Sequence, residues 1–179
     1  TTLNTSRLDL GYASRYPDQR LITFWDRNDM AGSFKSLKGV LTHDQYDVVI
    51  PLTDFSATLL SRHKEELSAF AAIAANDWEV FRMASDKQNT MRACVENGIP
   101  CPNTLFDVEN LEDVIESDIE YPFIIKPRVG YGSIGFHRID NEGQLRSVFA
   151  RTAAEHGNML VQEYIPQTDK QYEAQLFMD

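Results

Sequence analysis

YPFIIKPRVGYGSIGFHRID, residues 121–140, decides how this chain is read. Phe123, Ile124 and Ile125 form a short apolar run of the kind that makes a buried strand, and it carries Lys126 to the strand's end. Gly130, Gly132 and Gly135 follow, with Ser133 among them, and Phe136 to Ile139 then alternate apolar and polar as a returning strand. Glycines let backbone N–H groups approach an anion, and a lysine adds a point charge, so a lysine beside a Gly-rich hairpin tip suits a polyphosphate. An ordinary Gly-rich hairpin with a solvated lysine is the plainer alternative.

The literal Gly130-x-Gly132-x-x-Gly135 pattern is not a dinucleotide fingerprint, because strand and not helix follows Gly135. No Gly-Lys-Ser/Thr closes the loop, as a P-loop requires. In a protein-kinase flap the lysine comes after the glycines, and here it precedes them.

Upstream, residues 1–19 are polar and turn-rich and offer no clear assignment. Leu21–Trp25 is a strand candidate, and Asn28 is positioned to cap a helix through Met30, Phe34, Leu37 and Leu41. Asp47–Pro51 (DVVIP) has the continuous β-branched composition of a central parallel strand. Asp54 opens a helix through Leu59, Leu60 and Leu67, and Phe70–Ala75 supplies a third strand. This alternation predicts a doubly wound parallel sheet, incomplete because no convincing strand precedes Leu21. Asp54 follows the DVVIP strand, where such sheets bind ligands, although a helix N-cap explains it equally simply.

Asn76 and Asp77 begin a short helix carrying Trp78 and Phe81. Asp86 caps the next, which carries Met91, Cys94 and Val95 and is closed by Gly98 in a left-handed position. Ile99-Pro100-Cys101-Pro102 then forces an extended connector. Lys87 in the first turn of a helix is electrostatically odd, since that end already favours anions; it either grips one or is solvated. The second half reads as a strand at Thr104–Phe106, a helix from Glu109, the hairpin, and a helix capped by Asn141 and ended by Gly157. Strands at Met159–Ile165 and Tyr172–Met178 complete it. Two α/β modules flank the connector, and a cleft between them is the expected ligand site.

Composition sets limits on partners. The formal net charge of −10 over 179 residues argues against a general nucleic-acid surface, though not against a mononucleotide. No window approaches a membrane span. Cys94 and Cys101 are too few for a disulfide framework and lack metal-ligand spacing, which favours a cytoplasmic protein with free thiols.

Taken in order, SDKQNT with Lys87, GIPCPNT, FIIKPRVGYGSIG, and VQEYIP followed by KQYEAQLFMD resemble the ATP-grasp ligases. The resemblance is nearest to the carbamoyl-phosphate synthetase and biotin carboxylase branch. It covers about residues 40–179 and is best from 85 onward. It implies an α/β protein: an incomplete Rossmann-like parallel-sheet domain over residues 1–84, then a linker helix and Pro-rich connector over 85–103. The first, small α+β subdomain of an ATP-grasp fold follows over 104–165 with its Gly-rich flap, and residues 166–179 start a C-terminal subdomain that is cut short. The resemblance makes Lys126 and Lys87 the cations on the nucleotide phosphates, Gly130, Gly132, Ser133 and Gly135 the flap, and Glu163, Tyr164 and Ile165 the adenine hinge. Gln162 is a candidate side-chain contact to the base, and Gln171 stands near the expected ribose position. The implied cofactors are ATP and Mg²⁺, with the metal's ligands expected beyond residue 179, so that this stretch alone is expected to be inactive. The implied activity is activation of a small-molecule carboxylate as an acylphosphate for attack by an amine. No nucleic-acid or membrane partner is expected, and a homodimer is left open. A non-catalytic nucleotide-binding or scaffold module is the competing expectation.

Overall fold

A computed structural model describes residues 1–130 and 132–166; Tyr131 and residues 167–179, which hold Gln171 and the strand expected at 172–178, lie outside the described residues. The chain divides into two compact units, Thr1–Arg82 and Met83–Asp179.

The N-terminal unit contains the strand that the sequence did not reveal. β1 (Thr2–Asn4) and β2 (Arg20–Ile22) pair in parallel, with Leu3 opposite Leu21, and the short helix α1 (Leu10–Ala13) lies between them in the chain. α2 (Met30–His43) is capped by Asp29 and not by Asn28: the Asn28 amide is drawn into a turn on the Asp26 carboxylate, and Asp29 then accepts from Gly32 N at 2.8 Å. α2 buries Ser33, Leu37 and Leu41, at four-residue steps that keep them on one stripe. α3 (Asp54–Arg62) is likewise capped one residue earlier than expected, by Thr53, whose hydroxyl and that of Ser56 form a reciprocal capping box. Asp54 is therefore the first helical residue, where its charge suits the helix N-terminus.

After α4 (Lys64–Leu67), β4 (Ala72–Ile73) pairs in parallel with β3 (Val48–Val49). The parallel direction matches the expectation, but the strands form two separate two-stranded pairs and no continuous doubly wound sheet is present among the described residues. DVVIP contributes only two paired residues, has one neighbour, and leads into Ile50 and Leu52, which are 63% and 86% exposed. A run of β-branched residues is compatible with a central strand, yet only a second neighbouring strand makes one. Leu37, Leu41, Leu59, Leu60, Leu67 and Ile73 form the core of this unit.

α5 (Trp78–Ser85) spans the division between the units, and α6 (Lys87–Glu96) opens the next part of the chain. Asp86 caps α6 through the Gln88 amide, and a Schellman motif ends it: Gly98 takes φ 66°, Gly98 N reaches Val95 O and Ile99 N reaches Cys94 O. The strands β5 (Thr104–Leu105), β6 (Phe123–Pro127), β7 (His137–Ile139) and β8 (Met159–Glu163) form one antiparallel sheet in the order β5-β8-β6-β7. α7 (Leu111–Ile115) is capped by Asn110, and α8 (Glu142–His156) by Asn141. Both helices contribute to the core on one face of the sheet, where Phe123, Ile125, Ile139 and Val161 meet Val114, Leu145 and Phe149. Full burial of such a side chain contributes roughly 1.5–3 kcal/mol.

Candidate functional site

Alternation along β6 places Ile124 and Lys126 on the face opposite that core. Register sets Gln162 of β8 opposite both Ile124 of β6 and Thr104 of β5, so Thr104, Gln162 and Lys126 share the second face. Lys126 is the fourth of five residues in β6 and is half-buried, and its ammonium donates to Gln162 Oε1 at 2.9 Å. Burial first, and the neighbouring Lys87 ammonium second, hold its pKa below the ordinary lysine value.

Lys87 reaches the same neighbourhood from α6. Its ammonium donates to Gly130 O at 2.8 Å and to Arg128 O at 3.4 Å, at the root of the Gly-rich turn. The start of α6 is fastened there by Lys87 N on Arg128 O at 2.9 Å and by a two-pronged ion pair between Arg128 and Asp86. Burial alone would raise the Asp86 carboxyl, but the Arg128 hydrogen bond, the backbone amides of α6 and the Arg128 charge outweigh it, leaving the pKa below the ordinary aspartate value. Next to Lys87, the buried Gln88 exchanges two hydrogen bonds with Asp107, and Arg92, one turn on, pairs with the same carboxylate.

Between β6 and β7 the described part of the turn is irregular. Ser133 has φ 59°, a left-handed conformation that costs a non-glycine residue about 1 kcal/mol or more, and its carbonyl accepts from Phe136 N. Gly135 is fixed by space as well as by its φ of 71°: a Cβ there would lie 2.7 Å from His156 Cδ2 and 2.8 Å from Pro127 Cγ. Gly130 and Gly132 also have positive φ.

At the end of β8, Glu163 N donates to Asn103 O at 2.8 Å and the Glu163 carboxylate accepts from Asn103 N at 3.0 Å. The Tyr164 ring lies under the Arg138 guanidinium, 4.4 Å from it, while Ile165 is half-exposed. Lys126 is thus tied to Gln162 and Lys87 to the root of the Gly-rich turn, with the two ammonium groups near enough to repel, whereas Glu163, Tyr164 and Ile165 follow at the strand's end. Gln171 lies outside the described residues. Thr104 and the Asp86–Arg128 pair escaped the sequence reading. Asp86 was legible only as a cap, and its partner is 42 positions away.

A cavity of about 410 Å³ belongs to the N-terminal unit, lined by Leu3, Trp25, Leu41 and Val49 together with Asn4 and Thr53. It contains neither lysine. Among the described residues no three His, Cys, Asp or Glu side chains are grouped to hold a metal ion. No helix among them is long and apolar enough to cross a membrane.

An ATP-grasp domain model matches residues 84–171, which identifies that part of the chain as ATP-grasp. It is 36% identical over 83 residues to a D-alanine–D-alanine ligase of Anaplasma centrale, covering 45% of this chain and 40% of that protein. It is 26% identical over 139 residues to a D-aspartate ligase of Enterococcus faecium strain Aus0004, covering 68% of this chain and 32% of the relative. The fold is similar to that of the biotin carboxylase domain of Hydrogenobacter thermophilus 2-oxoglutarate carboxylase, with a TM-score of 0.69 at 19% identity, over 83% of this chain and 35% of the other. That structure is a dimer in complex with MgADP, ADP and bicarbonate. The chain therefore spans well under half the length of these relatives.

Proposed function

We propose that the protein binds ATP at the face of the four-stranded sheet where Lys126 and Lys87 meet the Gly-rich turn, and that it uses the nucleotide to join a carboxylate to an amine. The nearness of two ammonium groups to each other carries this proposal: Lys87 is near enough to depress the Lys126 pKa, and its own ammonium rests on Gly130 O in the Gly-rich turn. Like charges brought together in a partly buried place are destabilising without a counter-anion, and a polyphosphate supplies one. The family match supports the same ligand.

Each group then has a task. Lys126 and Lys87 bind the phosphates and offset charge that develops on them, work that is almost entirely positioning and electrostatics in phosphoryl transfer. The turn from Gly130 to Gly135 closes over the phosphates with its backbone N–H groups, and Ser133 offers a hydroxyl. Glu163 O and Ile165 N read the adenine edge, with Tyr164 held between them by Arg138. Gln171 completes the ribose side. ATP gives its γ-phosphoryl group to a carboxylate oxygen with release of ADP, and the amine then attacks the acylphosphate carbon and expels inorganic phosphate. Mg²⁺, when bound, would offset charge on the phosphates, and its protein ligands are expected beyond residue 179. A cytoplasmic setting suits a nucleotide-dependent ligase.

Titration calorimetry with ATP on the full-length protein tests the site. A hydrogen bond to a charged group is worth about 1.5–3 kcal/mol, so Lys126→Ala is expected to weaken ATP binding about tenfold to a hundredfold. Lys87→Ala is expected to act in the same direction. Unchanged affinity in both variants would remove the phosphate assignment.

A further inference from the structure

A hydrogen-bond chain leads away from Lys126 across the sheet, and its polarity is dictated from its far end. Thr104 Oγ1 donates to Pro102 O at 2.8 Å, and a carbonyl can only accept. The Thr104 oxygen therefore turns a lone pair toward β8, where it accepts from Gln162 Nε2 at 2.9 Å. With its NH₂ committed to Thr104, the Gln162 amide has one orientation left, and its oxygen faces Lys126 at 2.9 Å. Had the amide been reversed, two sets of N–H donors would oppose each other at Lys126. The links are well shielded, Thr104 being 8% and Gln162 5% exposed, so water does not readily replace a lost partner.

From this chain we infer that Thr104 is a positioning residue for the phosphate-binding ammonium, acting through Gln162; the inference rests on the ATP site proposed above. Gln162 is a neutral acceptor. It fixes where the Lys126 nitrogen sits while leaving the positive charge whole for the anion. The assignment also gives Gln162 a different task from contact with the nucleotide base: both ends of its amide are engaged within the sheet. Of the three ammonium hydrogens, one is spent on Gln162, and the others are available to a phosphate. Thr104 touches no ligand in this arrangement. Its contribution is the direction of an amide one strand away.

Thr104→Val keeps the volume and the β-branch but removes the hydroxyl, so Gln162 Nε2 loses its acceptor and the amide is free to turn. Calorimetry on the full-length protein is expected to show ATP binding weakened about three- to tenfold, with Thr104→Ser restoring it. Adenosine, which has no phosphate, is expected to bind both variants as it binds the parent. The decisive measurement is a double-mutant cycle with Lys126→Ala: in that background Thr104→Val is expected to cost nothing further. Equal loss with and without Lys126, or equal loss for ATP and adenosine, would show a merely structural role and overturn the inference, as would no loss at all. If Lys126→Ala alone leaves ATP affinity unchanged the inference is overturned, and if Lys87→Ala does so too it is the ATP site that fails. Should Thr104→Val melt well below the parent, Thr104→Ala enters the same cycle and the same outcomes decide.

Discussion

Along β6, Phe123 and Ile125 face a dry core while Ile124 and Lys126, one residue out of step, share the opposite face with Gln162 and Thr104. The two faces of this sheet are made by the same strands at the same spacing, yet they are held together differently. On the core face, stability comes from area removed from water and from volume filled, without regard to direction. On the other face each polar group has a named partner, and what matters is which end of an amide points which way. A core of the first kind tolerates exchange among apolar residues of similar size. The second kind tolerates little, because a donor turned toward a donor is worse than no contact.

The largest expected effect tests the core face. Phe123 is 1% exposed at the centre of the cluster, so Phe123→Ala is expected to destabilise the C-terminal unit by about 3–5 kcal/mol. Both tryptophans, Trp25 and Trp78, lie in the N-terminal unit, so their fluorescence is a poor reporter; amide hydrogen exchange in β6 and β8 is the suitable measurement. Protection in β8 that survives the substitution would mean that the core face does not carry the unit.

A smaller effect sharpens the other face through pH. In the free protein the Lys126 pKa lies below the ordinary 10.5, while bound phosphate would favour the charged form and raise it again. ATP binding is then accompanied by proton uptake at alkaline pH, and affinity falls as pH climbs through the depressed Lys126 value, by at most about tenfold per pH unit. Stability runs the other way. The unfolded chain holds the lysine proton more tightly than the folded one, so the Lys126 contribution to folding improves as pH rises from its depressed value toward 10.5. Opposite slopes for binding and stability are the signature. Arginine stays charged throughout this range, so Lys126→Arg is expected to flatten the alkaline fall in affinity, and an unchanged slope would assign the titration to another group.

How much of this was legible beforehand differs between the faces for the same reason. The apolar run FII marks a buried strand, and the caps Asp86 and Asn141 and the terminator Gly98 could be read from local chemistry alone. The strand register could not be read. Only the pairing of Ile124 and Thr104 with Gln162 brings three polar side chains from residues 104, 126 and 162 into one chain of hydrogen bonds. The N-terminal unit shows the converse. Thr-Leu-Asn at residues 2–4 has no apolar run to announce a strand and becomes one through its partner at 20–22, whereas DVVIP announces a strand and pairs over two residues. A strand is a relation between segments, and the sequence records one side of it at a time. Asp29 and Thr53 are the caps, one residue from those expected, because their side chains are the ones that accept first-turn amides, Gly32 N and Ser56 N.

The smallest expected effect concerns Glu163, at the end of β8. Its side chain is exposed and accepts from Asn103 N at 3.0 Å, and its own amide binds Asn103 O at 2.8 Å, so it fastens β8 to the connector before β5 through both backbone and side chain. Removing the carboxylate leaves the backbone link in place. If the adenine is read by Glu163 O and Ile165 N, donor and acceptor survive Glu163→Ala, and ATP affinity is expected to change by less than about threefold, which is under 1 kcal/mol. The preference for ATP over GTP is expected to persist, because guanine reverses the donor and acceptor pattern that backbone atoms present and no side chain enters the comparison. Competition binding with both nucleotides measures this directly. A variant that comes to prefer GTP would show that the Glu163 carboxylate reads the base, and the pairing with Asn103 would then have to break when nucleotide binds.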